Sequence, residues 1–495
     1  MSVHIEQEIK LQAPRRFDLS VLADGVDGFS ASPIEAHKLS TVYYDTDDLR
    51  LTRWGCSLRF RRGQGWTLKL PSASENGSLA RVEHTFAAEG TKPPAKALEL
   101  VAAFLRGRPV APVARLRTVR KSLRLHGASG EEIAEIADDD VRVMSGGRVV
   151  DRFREVEVEL LNGAPSSVLE GFRRSLQDAG AGAVDETPKS VRALGAPALA
   201  PPELYCARPN GQSKASDVIR YALASSVEML MRADAPLRLN TDPEAVHQAR
   251  VATRKLRSDL RTFGPLLREE WVRSLRAKIK WFTDELGAVR DADVLVGRLR
   301  RQAARLSMKD VRKVDAVIER FAKESHAARA ELARVLREKR YLDLLNELVD
   351  AAADPRVEQA ASEPAIEVLP QLVEVPWKKL YKAIAQLDDN AQDEQLHRVR
   401  IKAKRCRYAA EAIVPVGGKP IAQFARRVQR LQRILGELHD AVVVEQRLRE
   451  IKGDREEVFA AGTLAALESL AADEARSSWR KAWKKASKKS LRAWM

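Results

Sequence analysis

The chain has 495 residues, 44% hydrophobic, 31% charged and only 5% aromatic, enough for two or three domains that each bury a core. No apolar run reaches membrane-spanning length and the start, MSVHIEQEIK, is not a signal peptide. The three cysteines (Cys56, Cys206, Cys406) are too scattered for a disulfide framework, so a reducing, intracellular setting is expected.

Residues 1–195 read as short alternating strands: SVHIEQEIKL, SLRFRR, WTLKL, ARVEHTF, VRKSLRL, EEIAEIA, RVVDRF and REVEVELL, with helices near 96–106 and 165–179. That spacing predicts an antiparallel sheet or barrel. The Pro-, Ala- and Gly-rich stretch 196–213 reads as a linker. From 214 to 495 the period changes to 3.6, and a four-proline break over 353–376 divides the helical part into repeats of about 214–352 and 376–495. The repeat is visible in the strings. VHQARVATRKLR (246–257) returns as LHRVRIKAKRCR (396–407), and LGAVRDADV (286–294) returns as LGELHDAVV (435–443). Two strings kept in order at nearly one offset imply tandem four-helix bundles, and the whole is an α+β multidomain chain.

Charge follows this division. The net +16 is carried by the helical part, because residues 1–210 hold 29 Lys/Arg against 28 Asp/Glu while residues 211–495 hold 56 against 41. The helical part therefore expects a polyanion. In the first part, strand alternation sorts charges onto one face: Glu6, Glu8 and Lys10 oppose Ile5, Ile9 and Leu11, and Glu155, Glu157 and Glu159 oppose Val156, Val158 and Leu160. Arg59, Arg61 and Lys69 behave alike on central strands, and Arg81 and Glu83 flank Val82. Acidic outer strands and basic central ones, turned toward a common interior, suit a hard divalent cation beside a compact phosphate compound.

EQEIK at 6–10 matches the E-x-E-x-K signature of the CYTH, or triphosphate tunnel metalloenzyme, family. YYDTDDLRL, GCSLRFRR, WTLKL, the Arg81/Glu83 pair, RTVRKSLRL, EIADDD, REVEVEL and TPKS follow in that family's order. The resemblance covers about 1–195. It implies an eight-stranded antiparallel β-tunnel with flanking helices, hydrolysing or cyclising triphosphates with Mg²⁺ or Mn²⁺. By position it implies metal binding by Glu6, Glu8, Glu157 and Glu159. Triphosphate binding falls to Lys10, Arg59, Arg61, Lys69, Arg117, Arg120 and Lys189, with Glu83 and Asp139 orienting those cations; Glu6, Glu8, Lys10, Lys69 and Glu159 are the expected catalytic set. Arg117 and Arg120 cannot share one face of an ideal strand, and Glu155 is a third carboxylate beside the metal pair whose role stays open. No Ser, Cys or His stands in a nucleophile motif, which favours direct attack by water.

In the helical part, His247, Arg250, Arg254 and Arg257 lie at i, i+3, i+7 and i+10 and form one stripe; His397, Arg400, Lys404, Arg405 and Arg407 repeat it. One such stripe is equally a solvated face, but a second in the same register argues for a duplicated basic groove. VHQARVATRKLRSDLRTF with LGAVRDADV, and LHRVRIKAKRCRYAAE with LGELHDAVV, resemble the CHAD family over about 214–495, which implies paired four-helix bundles that bind inorganic polyphosphate. Arg290 is replaced by His439 in the second copy. Nucleic acid is disfavoured: zinc-finger spacing and an RNA-binding sheet motif are missing, and aromatics are few. Together these features suggest a cytoplasmic, metal-dependent inorganic triphosphatase that binds polyphosphate and associates with polyphosphate granules. The alternatives are a non-catalytic polyphosphate-binding protein, or an enzyme acting on thiamine triphosphate or ATP.

Overall fold

The computed structural model describes residues 2–26, 28–71, 80–87, 90–240, 242–306 and 308–495, except for the side chains of 2–6, 80, 81, 243 and 308–313. It divides into two compact units, Met1–Pro202 and Glu203–Met495.

The first unit is built on β1 (Ser2–Gln12), β2 (Ser30–Ala31), β3 (Glu35–Asp45), β4 (Ser57–Arg61), β5 (Gly65–Pro71), β6 (Ala80–Phe86), β7 (Ala111–His126), β8 (Glu132–Ser145) and β9 (Arg148–Leu160). The ladder runs β7-β3-β4-β5-β6-β1-β9-β8, and β8 pairs back onto β7. Eight antiparallel strands therefore close on themselves, and closure leaves no edge open to foreign strands. The short β2 extends the edge of β7. Short helices α1 (Arg50–Arg53), α2 (Ala95–Leu100) and α3 (Ala102–Leu105) follow β3 and β6, while α4 (Leu169–Asp178) and α5 (Lys189–Leu194) follow β9.

Alternation decides what each face carries. Leu123, Leu125, Ile136, Val156 and Val158 point outward and are buried beneath Phe172 and Leu176 of α4 together with Phe17 and Leu19. The opposite parity sends Arg120, Asp139, Glu155 and Glu157 into the interior. Covering one part of the outer face with apolar side chains thus fixes the strand register, because a one-residue slip would bury the charges and expose the core.

The second unit contains α6 (Ala215–Leu239), α7 (Pro243–Thr262), α8 (Glu269–Ala303), α9 (Met308–Val335), α10 (Lys339–Ala353), α11 (Ala365–Ala385), α12 (Asp393–Arg449) and α13 (Arg455–Ala486). Asp242 caps α7, accepting from the Glu244 N–H at 2.8 Å, with Pro243 in the first turn where its missing N–H costs nothing. The long α12 is two helices joined at Gly418 (φ 63°, ψ −143°), with Pro420 opening the second. Helices α6–α9 therefore correspond to α11, the two halves of α12, and α13. Leu299, Val317, Phe321, Leu448 and Leu464 join α8, α9, α12 and α13 in one core, so the repeats bury apolar surface against each other. Among the described residues no helix is long and apolar enough to cross a membrane.

Two readings needed revision. The strand β3 (EAHKLSTVYYD) was not among the expected strands, since its exposed first half lacks an apolar alternation. The proline-rich break is also shorter than 353–376: α11 begins at Ala365 and runs through Pro370 and Pro376. Its buried stripe of Leu369, Val373, Trp377, Leu380 and Ile384 outweighs the hydrogen bonds those prolines remove.

Candidate active site and basic cavity

Inside the barrel lies a cavity of about 230 Å³. Among the described residues, six basic side chains line it (Lys10, Arg59, Arg61, Lys69, Arg120, Lys189) with four acidic ones (Glu8, Glu83, Glu157, Glu159). Strand register explains how they meet. Glu8 stands opposite Glu159 and Lys10 opposite Glu157 on β1 and β9; Lys69 stands opposite Glu83 on β5 and β6; Arg120 stands opposite Asp139 on β7 and β8. Lys189 enters from the first turn of α5, just after Pro188.

The cations are held by carboxylates at their backs. Asp139, 1% exposed, binds Arg120 through two bonds of 2.8 and 2.7 Å and Lys189 at 3.0 Å. Burial alone would raise the Asp139 pKa, but Lys189 and Arg120 hold it below its ordinary value. Glu157 contacts Lys10 (2.9 Å), Lys189 (2.6 Å) and Arg120 (3.0 Å). Burial opposes its charge, and these three cations still keep it well below the usual carboxylate range. Glu83 lies 3.3 Å from Lys69 and 3.9 Å from Arg59. Arg61 donates to Thr41 and Gln64 instead; burial, with Arg59 and Arg120 nearby, pushes its pKa down to about 10. At Arg61, therefore, an added anion would be favoured.

The expected site residues sort accordingly. Glu8, Lys10, Arg59, Arg61, Lys69, Glu83, Arg120, Glu157, Glu159 and Lys189 are brought together, with Asp139 behind them. The Glu6 side chain and that of Arg81 lie outside the described residues; their backbones pair across β1 and β6. Arg117 does not reach the cavity: three residues from Arg120 on a strand of period two, it projects from the outer face and is exposed. Glu157, expected as a metal ligand, is here in contact with Lys10, Lys189 and Arg120, as Glu8 is with Lys10 at 3.1 Å. Glu155 is fully buried against Lys189 (2.7 Å) and Arg192 (3.6 Å), which makes it a counter-ion rather than a metal ligand. Tyr43, Ser57, Gln64, Thr67, Thr85 and Ser190 also line the cavity and were not anticipated; Tyr43 belongs to the unread β3. Among the described residues no histidine lines it, so none of them offers Ser57 or Ser190 an imidazole base.

Among the described residues, no three His, Cys, Asp or Glu side chains converge to hold a metal by themselves. Glu8 and Glu159, opposed on adjacent strands and both on the wall, do offer two carboxylates. Mg²⁺ is commonly bound by one or two carboxylates completed by substrate phosphate and water, so this donor set fits a cation that shares its phosphate ligand.

The second unit holds a cavity of about 370 Å³, lined by His247, Arg250 and Arg254 of α7, Arg290 and Asp291 of α8, and Arg400, His439, Asp440 and Arg447 of α12. The duplication is literal: Arg250 binds Asp291 at 2.6 Å, and its counterpart Arg400 lies 3.8 Å from Asp440. Those aspartates stand in the second repeated string, the signal that could have found them. The His397 and His439 rings pack at a tilt of 44° with centroids 4.0 Å apart, and burial, then His397 and Arg400, push the His439 pKa down to about 4. Burial also lowers His247, with Arg290 adding to it, and His397, with Arg400 adding to it. Lys404, one turn beyond Arg400, is pushed down to about 7 by burial and by Arg254, Arg400, Arg250 and Arg407. Of the expected residues, His247, Arg250, Arg254 and Arg400 line this cavity, whereas His397, Lys404, Arg407, Arg405 and Arg257 do not. Arg405 is five residues from Arg400, most of a half-turn off that stripe, and stands instead with Arg257, Arg261 and Arg276.

Comparison with known proteins agrees with this division. A model of the CYTH domain matches residues 4–192 and a model of the CHAD domain matches residues 221–449. The uncharacterized protein Rv2226 of Mycobacterium tuberculosis is 33% identical over 480 residues, 88% of each chain. Among solved structures, PptA from Streptomyces chartreusis aligns at 22% identity and a TM-score of 0.46, over 55% of this chain and all of its own. The CHAD domain from the plant Ricinus communis aligns at 25% identity and a TM-score of 0.44, over 60% of this chain and 97% of its own.

Proposed function

The chain belongs to the CYTH–CHAD family, and on that premise we propose that its barrel hydrolyses inorganic triphosphate with Mg²⁺ or Mn²⁺ while its helical unit binds inorganic polyphosphate. CYTH domains in general act on triphosphates and depend on a metal. The observation that carries the finer reading is the cavity: among the described residues, six cations and four carboxylates surround about 230 Å³. Pockets for drug-sized organic ligands are mostly apolar, so a cavity lined by charged and polar side chains favours a bare phosphate chain over a nucleotide or thiamine ester.

The chemistry follows from the contacts. Arg59, Arg61, Lys69 and Arg120 present donors to the oxygens of a bound triphosphate. Glu83, Asp139 and Glu157 hold several of these cations in place before substrate arrives, so little reorganisation accompanies the reaction. Lys10 and Lys189 stabilise the charge that grows on the departing phosphate. Glu8 and Glu159 would hold a divalent cation, which when bound would supply further charge neutralisation. Water attacks the terminal phosphorus, as no serine–histidine pair stands in the cavity among the described residues. In the helical unit, Arg250, Arg254, Arg400, Lys404 and Arg407 make a phosphate-binding surface free of stacking aromatics apart from Tyr408, which lies under Arg407.

A substrate panel tests this reading. Tripolyphosphate, long-chain polyphosphate, ATP and thiamine triphosphate are each incubated with Mg²⁺ and with Mn²⁺, and products are identified. Tripolyphosphate giving pyrophosphate and phosphate is the expected result. Tight polyphosphate binding without turnover of any triphosphate would favour a binding protein instead.

A further inference from the structure

Arg117, which strand parity turns out of the barrel, belongs to a row. It stands directly opposite Arg142 of β8, and Arg142 stands directly opposite Arg152 of β9. On the other side of β7 the same position is Ser40 of β3. The three side chains share the outward parity of Leu123, Ile136 and Val156, on strands about 4.8 Å apart, beyond the part of that face covered by α4. Arg117 and Arg152 are exposed and Arg142 is half-buried.

Like charges directly opposite one another weaken a ladder, and here two consecutive pairs do so. The same face matches an arginine with an acid elsewhere: Arg154, two residues from Arg152, binds Asp138 at 2.6 Å. Arg117, Arg142 and Arg152 make no ion pair with any described residue, Asp140 included, and the Nε of Arg142 is buried without a hydrogen-bond partner. An anion lying across the row would relieve that repulsion.

We propose that this row is a second polyanion surface on the outside of the barrel, occupied by a linear phosphate polymer lying across β7, β8 and β9. The choice of polymer rests on the reading that the barrel works on phosphate chains. Independent of it, the row offers donors in a line, and among the described residues no aromatic ring lies against Arg117, Arg142 or Arg152. A long chain held there keeps substrate on the same unit that hydrolyses it.

The test uses the full chain and an arginine reagent, phenylglyoxal, with modified peptides mapped by mass spectrometry. Long-chain polyphosphate is expected to protect Arg117, Arg142 and Arg152 severalfold. Tripolyphosphate should protect Arg59 and Arg61 and leave the outer row reactive. The triple variant Arg117→Ser, Arg142→Ser, Arg152→Ser should flatten the salt dependence of long-chain binding by about 2 in log–log slope, at roughly 0.7 per phosphate contact, with tripolyphosphate hydrolysis unchanged. Protection of Arg250 and Arg254 without protection of the outer row overturns this proposal and leaves the proposed function standing. Shielding of the row by RNA or anionic vesicles, but not by polyphosphate, overturns the polymer assignment. No protection anywhere, with no phosphate release, overturns the proposed function itself.

Discussion

Arg117 and Arg120 are three residues apart and have opposite fates. Arg120 is locked by Asp139 and Glu157 inside the barrel, whereas Arg117 stands outside. Arg120→Ala is therefore expected to cut kcat/KM for tripolyphosphate by about 10²-fold or more, since it removes a preorganised charge-stabilising donor. Arg117→Ala should leave it within about twofold; equal losses in steady-state assays of the two variants would contradict the strand register. Lys404 offers a different kind of test. With its pKa near 7 it is mostly neutral at pH 8 and mostly charged at pH 6, and a polyanion favours the charged form. Polyphosphate binding should therefore tighten, with proton uptake, as pH falls from 8 to 6. Calorimetry in buffers of different ionisation enthalpy measures that uptake. Lys404→Arg, charged throughout, should abolish this component; an unchanged proton count in the variant would remove Lys404 from the account.

The elements were legible in proportion to how openly their periodicity shows. Strands β1, β4, β5 and β6 sit within a residue or two of where alternation puts them, and the repeated strings revealed α7 and α12. RVVDRF and REVEVELL proved to be one strand, β9, and β8 runs on through Asp138, Asp139 and Asp140, which read locally as a turn. Those aspartates are tolerated because Arg154 and Arg120 meet two of them across the ladder, a compensation invisible to local pattern. Most of the interior set was readable from alternating charge, but Arg117 and the counter-ion role of Glu157 depended on register and contact. Within α12, Gly418 (φ 63°, ψ −143°) makes a break that other residues reach only at a cost of about 1–3 kcal/mol. A Cβ there would meet no atom, so the cost is purely conformational. Gly418→Ala should lower stability by that amount in urea unfolding, monitored at a probe in the helical unit; an unchanged midpoint would mean the two halves of α12 can join differently.

At the scale of the molecule, charge and chemistry are divided between the units. The barrel part is nearly neutral in sum yet concentrates opposed charges in one small interior, while the helical part carries most of the +16 along duplicated helices. Neutralising phosphates with Lys and Arg predicts polyphosphate binding that weakens steeply with salt, by analogy with counterion release from nucleic acids. Hydrolysis in the barrel should depend on salt less steeply, because its buried charges are screened less. The central claim is that the barrel's cations and carboxylates form one phosphate-cleaving site, and Lys69 on β5, held by Glu83, tests it most directly. The measurement is initial-rate phosphate release from tripolyphosphate with Mg²⁺ or Mn²⁺, for the unaltered chain and for Lys69→Ala, with folding of both checked by circular dichroism. The account predicts metal-dependent release that falls by about 10²-fold or more in a folded Lys69→Ala variant; equal release by the two proteins would contradict it.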